Sequence, residues 1–328
     1  MAVRDGAAFL AEAIESVRAQ TLEDLELVVV DDGSTDQTPQ ILADFAGRDE
    51  RIRIVRQHGG VSRARNRGCR EARGRYLACL DADDAALPER LAWQVAFLDA
   101  NPEVAVVGGG GLMIDHRGVQ FGVAAYPQDP AEVVAYLQSG RVPLIHSAAT
   151  MRPDAFHAVA GYRPVFERAQ DYDLWLRIAA QGRITNLHEP VVRYRVHAGQ
   201  ASIEDVTKTA TAVAVALAAA RARASGEPDP LDTAESLDAD LVEGMGVSAA
   251  EIAVEEVRWG LWLARTLEKA GYHARAEPLW SQVAASAAAT GNPGAMRARV
   301  LRARADAWSR RRRRLRAVAL RLRAAMLD

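Results

Sequence analysis

The stretch Tyr76–Asp84 reads YLACLDADD, and it decides the fold of this chain. Its first five residues, Tyr76 to Leu80, are mostly apolar and predict a buried strand, and three carboxylates come directly after them within four positions. In open α/β folds, ligands bind at the carboxyl ends of the strands. Mg²⁺ or Mn²⁺ typically takes one or two carboxylates together with phosphate oxygens. Asp81 and Asp83 are therefore candidate metal ligands, although ordinary capping of a turn is the alternative, and Asp84 is expected to cap the helix after the turn.

Apolar runs and amphipathic segments alternate along the first 110 residues. Strands are predicted at 25–30, 51–55 and 104–109, and helices at 9–20, from 38, from 62 to about 73, and at 88–100. This alternation predicts an α/β fold with a doubly wound, mostly parallel sheet flanked by helices. Because parallel strands place their loops along one edge, the strand ends at 31–32, 59–60 and 81–84 are expected to converge on one ligand. Ordinary turn chemistry is the alternative account of these residues.

Length and composition indicate a globular protein of two domains, or of one domain with an appendage. The chain has 328 residues and a formal net charge of −2. No basic-plus-apolar signal peptide is present, and the longest Ala/Val-rich run, 210–220, is far shorter than the ~20 apolar residues of a membrane span. The expected location is therefore cytoplasmic. The two cysteines, Cys69 and Cys79, lack ligand spacing and are expected to be core thiols.

Two later segments carry further candidates. Gln170–Arg177 predicts the start of a helix with acids in its first turn, where Asp171 is either an N-cap or a general base facing a cleft. Ile184–His197 predicts a strand pair, and His197 at its end is either an ordinary hydrogen-bonded residue or a metal ligand.

With these residues in view, positions 1–200 resemble the inverting family 2 glycosyltransferases, which have the GT-A fold. Six stretches in the family's order and spacing carry the resemblance: AVRDGAAFLAEAIESVRAQT, LELVVVDDGSTDQT, GGVSRARNRGCREARGRYLACLDADDAALPERL, HSAATMRPDAF, GYRPVFERAQDYDLWLRIAAQGR and VVRYRVHAG. The resemblance implies transfer of a sugar from a nucleotide sugar, with Mg²⁺ or Mn²⁺ as cofactor.

The resemblance also implies roles for individual residues. Asp171 matches the base that deprotonates the acceptor hydroxyl. Asp83 matches the ligand of the cation that bridges the donor diphosphate, Asp81 lies near the ribose and the metal, and His197 matches a histidine that approaches the metal in some members. The residues expected to bind the nucleotide sugar are Val3, Arg4, Asp32, Arg65, Asn66, Asp81 and Ala82.

The chain departs from the family pattern in two places. Gln170 stands where the family often has Glu, which should leave the pKa of Asp171 less raised by like-charge repulsion. The family's first strand, ahead of Val3, is absent, and its usual aromatic residue is Arg4 here. We predict that Met1 is a misplaced start or a truncation, which the in-frame codons upstream of Met1 would test.

The second part of the chain is predicted to be helical. We expect a helix at 201–224, an acidic linker at 225–248 and a helical region at 249–328. Residues 297–323 contain twelve Arg and one acid, which gives +11 and leaves −13 for the remainder. The last helix, about Ala295–Met326 with an unbroken run from Arg310 to Arg314, either docks on the catalytic domain or a second subunit, or lies on an anionic membrane surface. Nucleic-acid binding lacks an aromatic platform and is not expected.

The leading hypothesis is a metal-dependent glycosyltransferase acting on a glycan or lipid-linked acceptor in cell-surface glycan or polysaccharide biosynthesis, cytoplasmic and peripheral on the inner face of the membrane. One alternative is transfer to a polyprenyl phosphate, where no hydroxyl needs deprotonation. The other is a non-catalytic relative that binds nucleotides or glycans.

Overall fold

The continuous apolar run before Asp32 forms the centre of a three-stranded parallel sheet. The order is β1-β2-β3, with β1 at Ala2–Val3, β2 at Leu27–Asp31 and β3 at Ile52–Arg56. All five residues of β2 are buried, because helices cover both of its faces. Val29 packs in one apolar cluster with residues of α1 (Leu10–Arg18) and α2 (Thr38–Ala46), and Val28 and Val30 pack with Ala64 of α3 (Val61–Glu71).

A second sheet has six strands, and residues 81–84, which carry the three acids, connect two of them. Its order is β4-β8-β6-β9-β5, and β7 pairs with β6. Within this sheet β6 and β9 run parallel, and the other pairs are antiparallel. The strands are β4 (Leu77–Ala78), β5 (Ala85–Ala86), β6 (Val104–Ile114), β7 (Gln120–Ala124), β8 (Thr150–Met151) and β9 (Arg183–Arg195). The helices between them are α4 (Arg90–Ala100), α5 (Pro130–Gln138), a 3-10 turn (His146–Ala148), α6 (Pro153–Ala158) and α7 (Gln170–Ala179).

Two predicted strands differ from the structure. The strand expected at 76–80 is only Leu77–Ala78, and it pairs antiparallel with β8 rather than parallel with a neighbour. Its length is limited by β8, which offers only Thr150 and Met151 as partners. The strand pair expected at 184–197 is one strand, β9, which pairs along β6 with register shifts near Pro190.

The computed structural model describes residues 1–200 and 205–310, together with 320, 323 and 324. The chain divides into two units, Met1–Arg195 and Val196–Asp328. The second unit is helical, and 225–248 includes a short helix. Its described helices are α8 (Val206–Ala224), α9 (Ala239–Gly244), α10 (Ala249–Lys269), α11 (His273–Ser286) and α12 (Pro293–Arg310).

Within the second unit, α8 and α11 pack against α10, and α12 packs against α10 and α11. Ser248 caps α10 through a capping box with Glu251, which satisfies backbone N–H groups at the helix start. None of the helices in the described ranges has the length and apolar character that a membrane crossing requires.

Candidate active site

The acidic loop, residues 81–84, joins β4 to β5. Because β4 is held by β8 and β5 by β9, both ends of the loop are fixed. Asp81 and Asp83 are half-buried, whereas Asp84 is fully buried. The Asp84 carboxylate accepts from the backbone N–H of Arg195 at 2.7 Å. The prediction that Asp84 caps the helix after the turn is therefore wrong, since α4 begins only at Arg90 and Asp84 instead binds a strand distant in sequence.

Asp81 is held by three groups. Arg65 donates to its carboxylate at 2.6 Å, His146 Nδ1 lies 3.2 Å from the other carboxylate oxygen, and the Asp81 backbone N–H donates to Ser147 Oγ at 3.1 Å. Burial raises the pKa of Asp81, but Arg65 and His146 outweigh burial and hold this pKa well below its ordinary value. Asp81 is therefore a carboxylate at neutral pH.

His146 links the acidic loop to a tyrosine. Its Nε2 lies 2.9 Å from the Tyr162 hydroxyl, which lies 3.5 Å from Cys79 Sγ. Burial and Arg65 lower the pKa of His146, but Asp81 and Cys79 overcome them and raise it to about 9. Cys79 is half-buried rather than a fully enclosed core thiol; burial raises its pKa, yet His146, Tyr162 and Arg65 bring it down to about 7.

His146 and Tyr162 are site residues that sequence reasoning missed. Both lie in stretches that resemble the family, HSAATM and GYRP, but neither stretch contains a charged pair or ligand spacing that would mark a role. Their contacts with Asp81 and Cys79 join residues 65 and 83 positions apart, and no local pattern reveals such contacts.

Asn66 fixes the loop that carries Tyr162. Its Oδ1 accepts from the Tyr162 N–H at 2.8 Å, and its Nδ2 donates to the Tyr162 carbonyl at 2.7 Å. Gly161 before it has φ +73° and no room for a side chain, because a Cβ there would lie 2.5 Å from Asn66 Oδ1. The buried Asn66 side chain is thus committed to this loop, next to Arg65 on α3.

The ends of β1 and β2 form a second part of the site. Both carboxylate oxygens of Asp32 accept from the N–H of Gly60, at 3.0 and 3.3 Å, so the strand ends at 31–32 and 59–60 are in contact. Val3 and Ala82 pack in the same apolar cluster, which brings β1 next to the acidic loop. The Arg4 side chain is 68% exposed, and its described partner is Asp5, 4.0 Å away.

Asp171 lies in the first turn of α7. Ala169, with φ +55°, occupies the N-cap position and no side chain caps the helix, so the N-cap interpretation of Asp171 is wrong. One carboxylate oxygen of Asp171 accepts from the Tyr172 N–H at 2.9 Å. Asp171 is also near Arg65: burial opposes the charged form of Arg65, but Asp81, Tyr162 and Asp171 raise its pKa.

His197 is assigned to the second of the two units. It is half-buried and belongs to the second unit, two residues beyond the end of β9, whereas the other candidate residues belong to the first unit.

The acidic loop fits a divalent cation that shares its ligands with a diphosphate. Burial raises the pKa of Asp84 well above its ordinary value, and the charges of Asp83 and Asp81 raise it further. A bound cation would offset the repulsion between these acids. Within the described ranges, no group of three or more His, Cys, Asp or Glu could hold a metal ion.

Comparison with known proteins identifies the family. The model of glycosyl transferase family 2 matches residues 1–121. EpsE of Bacillus subtilis (strain 168), which is named as a glycosyltransferase, is 35% identical over 192 residues, covering 57% of this chain and 68% of EpsE. The uncharacterized glycosyltransferase RP339 of Rickettsia prowazekii (strain Madrid E) is 29% identical over 208 residues, covering 61% of this chain and 64% of RP339.

Solved structures share the fold. S. aureus TarS 1–349 in complex with UDP-GlcNAc superposes with a TM-score of 0.53 and 18% identity, covering 93% of this chain and 86% of that one. The mannosyltransferase PcManGT from Pyrobaculum calidifontis, in complex with GDP-Man and Mn²⁺, gives a TM-score of 0.54 and 19% identity, covering 99% and 84%. The likeness confirms the predicted α/β fold of the GT-A type with a helical C-terminal region. The chain therefore belongs to the family 2 glycosyltransferases and is a glycosyltransferase.

Proposed function

We propose that this protein is a metal-dependent inverting glycosyltransferase that moves a sugar from a nucleotide sugar to a hydroxyl acceptor. Arg65 carries the proposal: it hydrogen-bonds Asp81, it is electrostatically coupled to Asp171, and its buried Nε has no hydrogen-bond partner among the described residues. A buried N–H without a partner is costly, and a phosphate oxygen is an acceptor that guanidinium groups bind well. Arg65 therefore suits a diphosphate placed between the two acids.

The donor is a nucleoside diphosphate sugar. TarS and PcManGT, which share the fold, were solved with UDP-GlcNAc and with GDP-Man, so both pyrimidine and purine donors are candidates for this chain. Asp32, whose carboxylate holds the 57–60 loop through Gly60, is the acid we assign to the base. Val3, Arg4 and Ala82 are assigned to the same nucleotide side of the site, and Asn66 holds the Tyr162 loop beside it.

Asp83 and Asp81 are the residues that would hold Mg²⁺ or Mn²⁺, with His197 as a further candidate. When bound, the cation neutralises charge on the departing nucleoside diphosphate. Arg65 and His146 keep Asp81 ionised for this role, because both lower its pKa.

Asp171 is the proposed general base. Its carboxylate takes the proton of the acceptor hydroxyl, the acceptor oxygen forms a bond to the anomeric carbon, and the bond from that carbon to the diphosphate breaks on the opposite face. One displacement of this kind inverts the anomeric configuration. Gln170 places no second charge beside the base.

We further propose a role in the biosynthesis of a cell-surface glycan or polysaccharide, with the protein in the cytoplasm and peripheral on the inner face of the membrane. The basic C-terminal segment, 297–323, favours a lipid-linked acceptor at an anionic surface. It also favours the second candidate function, transfer to a polyprenyl phosphate, in which the acceptor is already anionic.

A donor screen with two variants tests the function. Thermal shift across UDP-, GDP- and dTDP-sugars with Mn²⁺ should identify one donor class that raises the melting temperature of the wild type. Asp171→Asn should lower the rate of transfer to a hydroxyl acceptor by about 10²–10⁴-fold, the usual contribution of a general base, while donor binding persists. Asp154→Asn, an exposed acid in the first turn of α6, is the matched control and should leave both unchanged.

The outcomes separate the alternatives. Unchanged turnover by Asp171→Asn with a hydroxyl acceptor would refute the base assignment, and turnover only with a polyprenyl phosphate would favour the second candidate. Donor binding without any transfer by the wild type would indicate a non-catalytic binding protein.

A further inference from the structure

Arg195, the last residue of β9, is a buried cation at the acidic loop. Its side chain is only 2% exposed. Its Nε donates to the backbone carbonyl of Asp83 at 2.8 Å, and another guanidinium nitrogen donates to the Asp115 carbonyl at 3.3 Å. The third nitrogen pairs with Glu12 of α1, and the guanidinium carbon lies 4.6 Å from the centre of the Phe9 ring.

The same residue also holds the end of the loop. The Arg195 backbone N–H donates to Asp84 Oδ1 at 2.7 Å. Arg195 therefore binds two consecutive loop residues, Asp83 through its carbonyl and Asp84 through its carboxyl group. Both contacts restrain the main chain directly after the Asp83 Cα, from which the proposed cation ligand projects.

Burial of a guanidinium is costly unless every N–H finds a partner. Apolar side chains could fill the same volume at less cost, so the charge at this position calls for an explanation other than packing. The contacts of Arg195 give one. Two of them go to the loop that carries the acids, one from the guanidinium to the Asp83 carbonyl and one from the backbone N–H to the Asp84 carboxyl group.

We propose that Arg195, oriented by Glu12, is a positioning residue that fixes the acidic loop in the conformation that binds the cation and the donor diphosphate. The inference rests on the proposed function. Residues that orient metal ligands typically contribute 10–100-fold to metal affinity. Arg195→Lys keeps the charge but cannot satisfy the same fork of acceptors, so it should release the Asp83 carbonyl.

The experiment compares Arg195→Lys with Arg193→Lys in the full chain. Arg193 is also near the end of β9 and also pairs with Glu12, at 3.1 Å, but its other described contact is the Gly118 carbonyl rather than the acidic loop. Bound Mn²⁺ is measured in the presence of UDP or GDP from the loss of the electron paramagnetic resonance signal of free Mn²⁺, and donor affinity is measured by calorimetry.

We expect Arg195→Lys to weaken Mn²⁺ binding about tenfold or more and to raise KM for the donor more than it lowers kcat, whereas Arg193→Lys matches the wild type. Glu12→Gln should show a smaller loss in the same direction, and it provides the test if Arg195→Lys does not fold. The inference would be overturned if a folded Arg195→Lys variant bound Mn²⁺ and donor like the wild type. If Arg195→Lys does not fold, the same result with Glu12→Gln would overturn it. Either result would leave the proposed function intact. A wild type that binds neither Mn²⁺ nor a nucleotide would overturn both.

Discussion

Asp81 is the residue that the two cationic side chains of the site, Arg65 and His146, both bind. It is bound by a guanidinium, an imidazole and a hydroxyl, from α3 and from the 3-10 turn at 146–148. Arg65 and His146 repel each other, since each is cationic when bound to Asp81, and the carboxylate between them offsets that repulsion. Loss of either cation should therefore strengthen the hold of Asp81 on the other.

The titration of His146 should appear in the stability of the protein. Its pKa is about 9 in the folded state against an ordinary value of 6.5. His146 binds its proton more tightly in the folded state than in the unfolded state. This preference stabilises the folded state fully below pH 6.5, and the contribution disappears as the pH rises through 9. The shift corresponds to about 3 kcal/mol at most. In urea unfolding, the stability difference between wild type and His146→Gln should therefore be largest near pH 6 and should shrink towards pH 10.

Asp81 provides the control for this titration. Asp81→Asn removes the carboxylate that raises the pKa of His146, so in that background His146→Gln should change stability by an amount that varies much less with pH. Stability curves of the wild type and His146→Gln that run parallel from pH 6 to pH 10 would contradict the assignment.

At the scale of elements, side chains of α3 hold the loop before α7, and Asn66 makes two of these bonds. Asn66→Ala would leave both the N–H and the carbonyl of Tyr162 buried without their present partner. Each such group costs about 1–3 kcal/mol, so we expect a loss of about 2–4 kcal/mol in the free energy of unfolding, measured by urea titration. Donor binding should weaken as well, because Tyr162 supports His146 and through it Asp81.

A second asparagine serves as the matched control. Asn101, after the end of α4, makes one side-chain bond to a helix carbonyl, Phe97 O at 2.8 Å, in a partly buried place. Asn101→Ala should cost about 1 kcal/mol or less. Equal urea midpoints for the two variants would mean that Asn66 does not support the loop as described.

The elements that sequence patterns predicted are those with a clear apolar run or periodicity of their own. The run Leu27–Asp31 is apolar up to its final acid, and the spacing of Leu10, Ala13, Ile14 and Val17 marks one helix face, so β2 and α1 lie close to their expected positions. The strand at 76–80 was predicted too long, because its length depends on β8, which has only two residues and no periodicity to read.

The site shows the same division between local and distant signals. Acids at strand ends and in the first turn of a helix drew attention to Asp32, Asp81, Asp83 and Asp171. In contrast, Asp84 resembles a cap in sequence, and only its contact with a residue 111 positions later reveals its buried role. His146 has no charged residue within four positions of it in the sequence, and its raised pKa depends on a carboxylate 65 positions away.

For the whole molecule, the main asymmetry is charge. In the described part of the last helix, α12, several alanines are buried, among them Ala298, Ala303 and Ala307. Arg304 pairs with Glu277 of α11 and lies 4.7 Å from the centre of the Trp308 ring. This part of the helix therefore docks within its own unit. Most of the predicted arginine run, 311–314, lies outside the described residues.

A membrane role for this run is testable with the full chain. Each Arg near an anionic surface is worth about 1 kcal/mol, so replacing Arg310, Arg312 and Arg314 with Gln should weaken binding to vesicles that contain anionic lipid by about 100-fold. Flotation with anionic and with zwitterionic vesicles, at low and high salt, measures the effect. High salt should release the wild type, because the attraction is screened.

The control replaces three exposed arginines of the same unit, Arg221, Arg265 and Arg275, with Gln. This control variant loses the same total charge but keeps the arginine run. It should therefore float like the wild type if vesicle binding depends on the position of the arginines rather than on net charge. Equal losses in the two triple variants would mean that net charge alone drives adsorption. A wild type that does not float with anionic vesicles would contradict the membrane hypothesis. The remaining alternatives would be docking within the chain and self-association. Sedimentation of the wild type and of the Arg310/Arg312/Arg314 variant would distinguish these two alternatives.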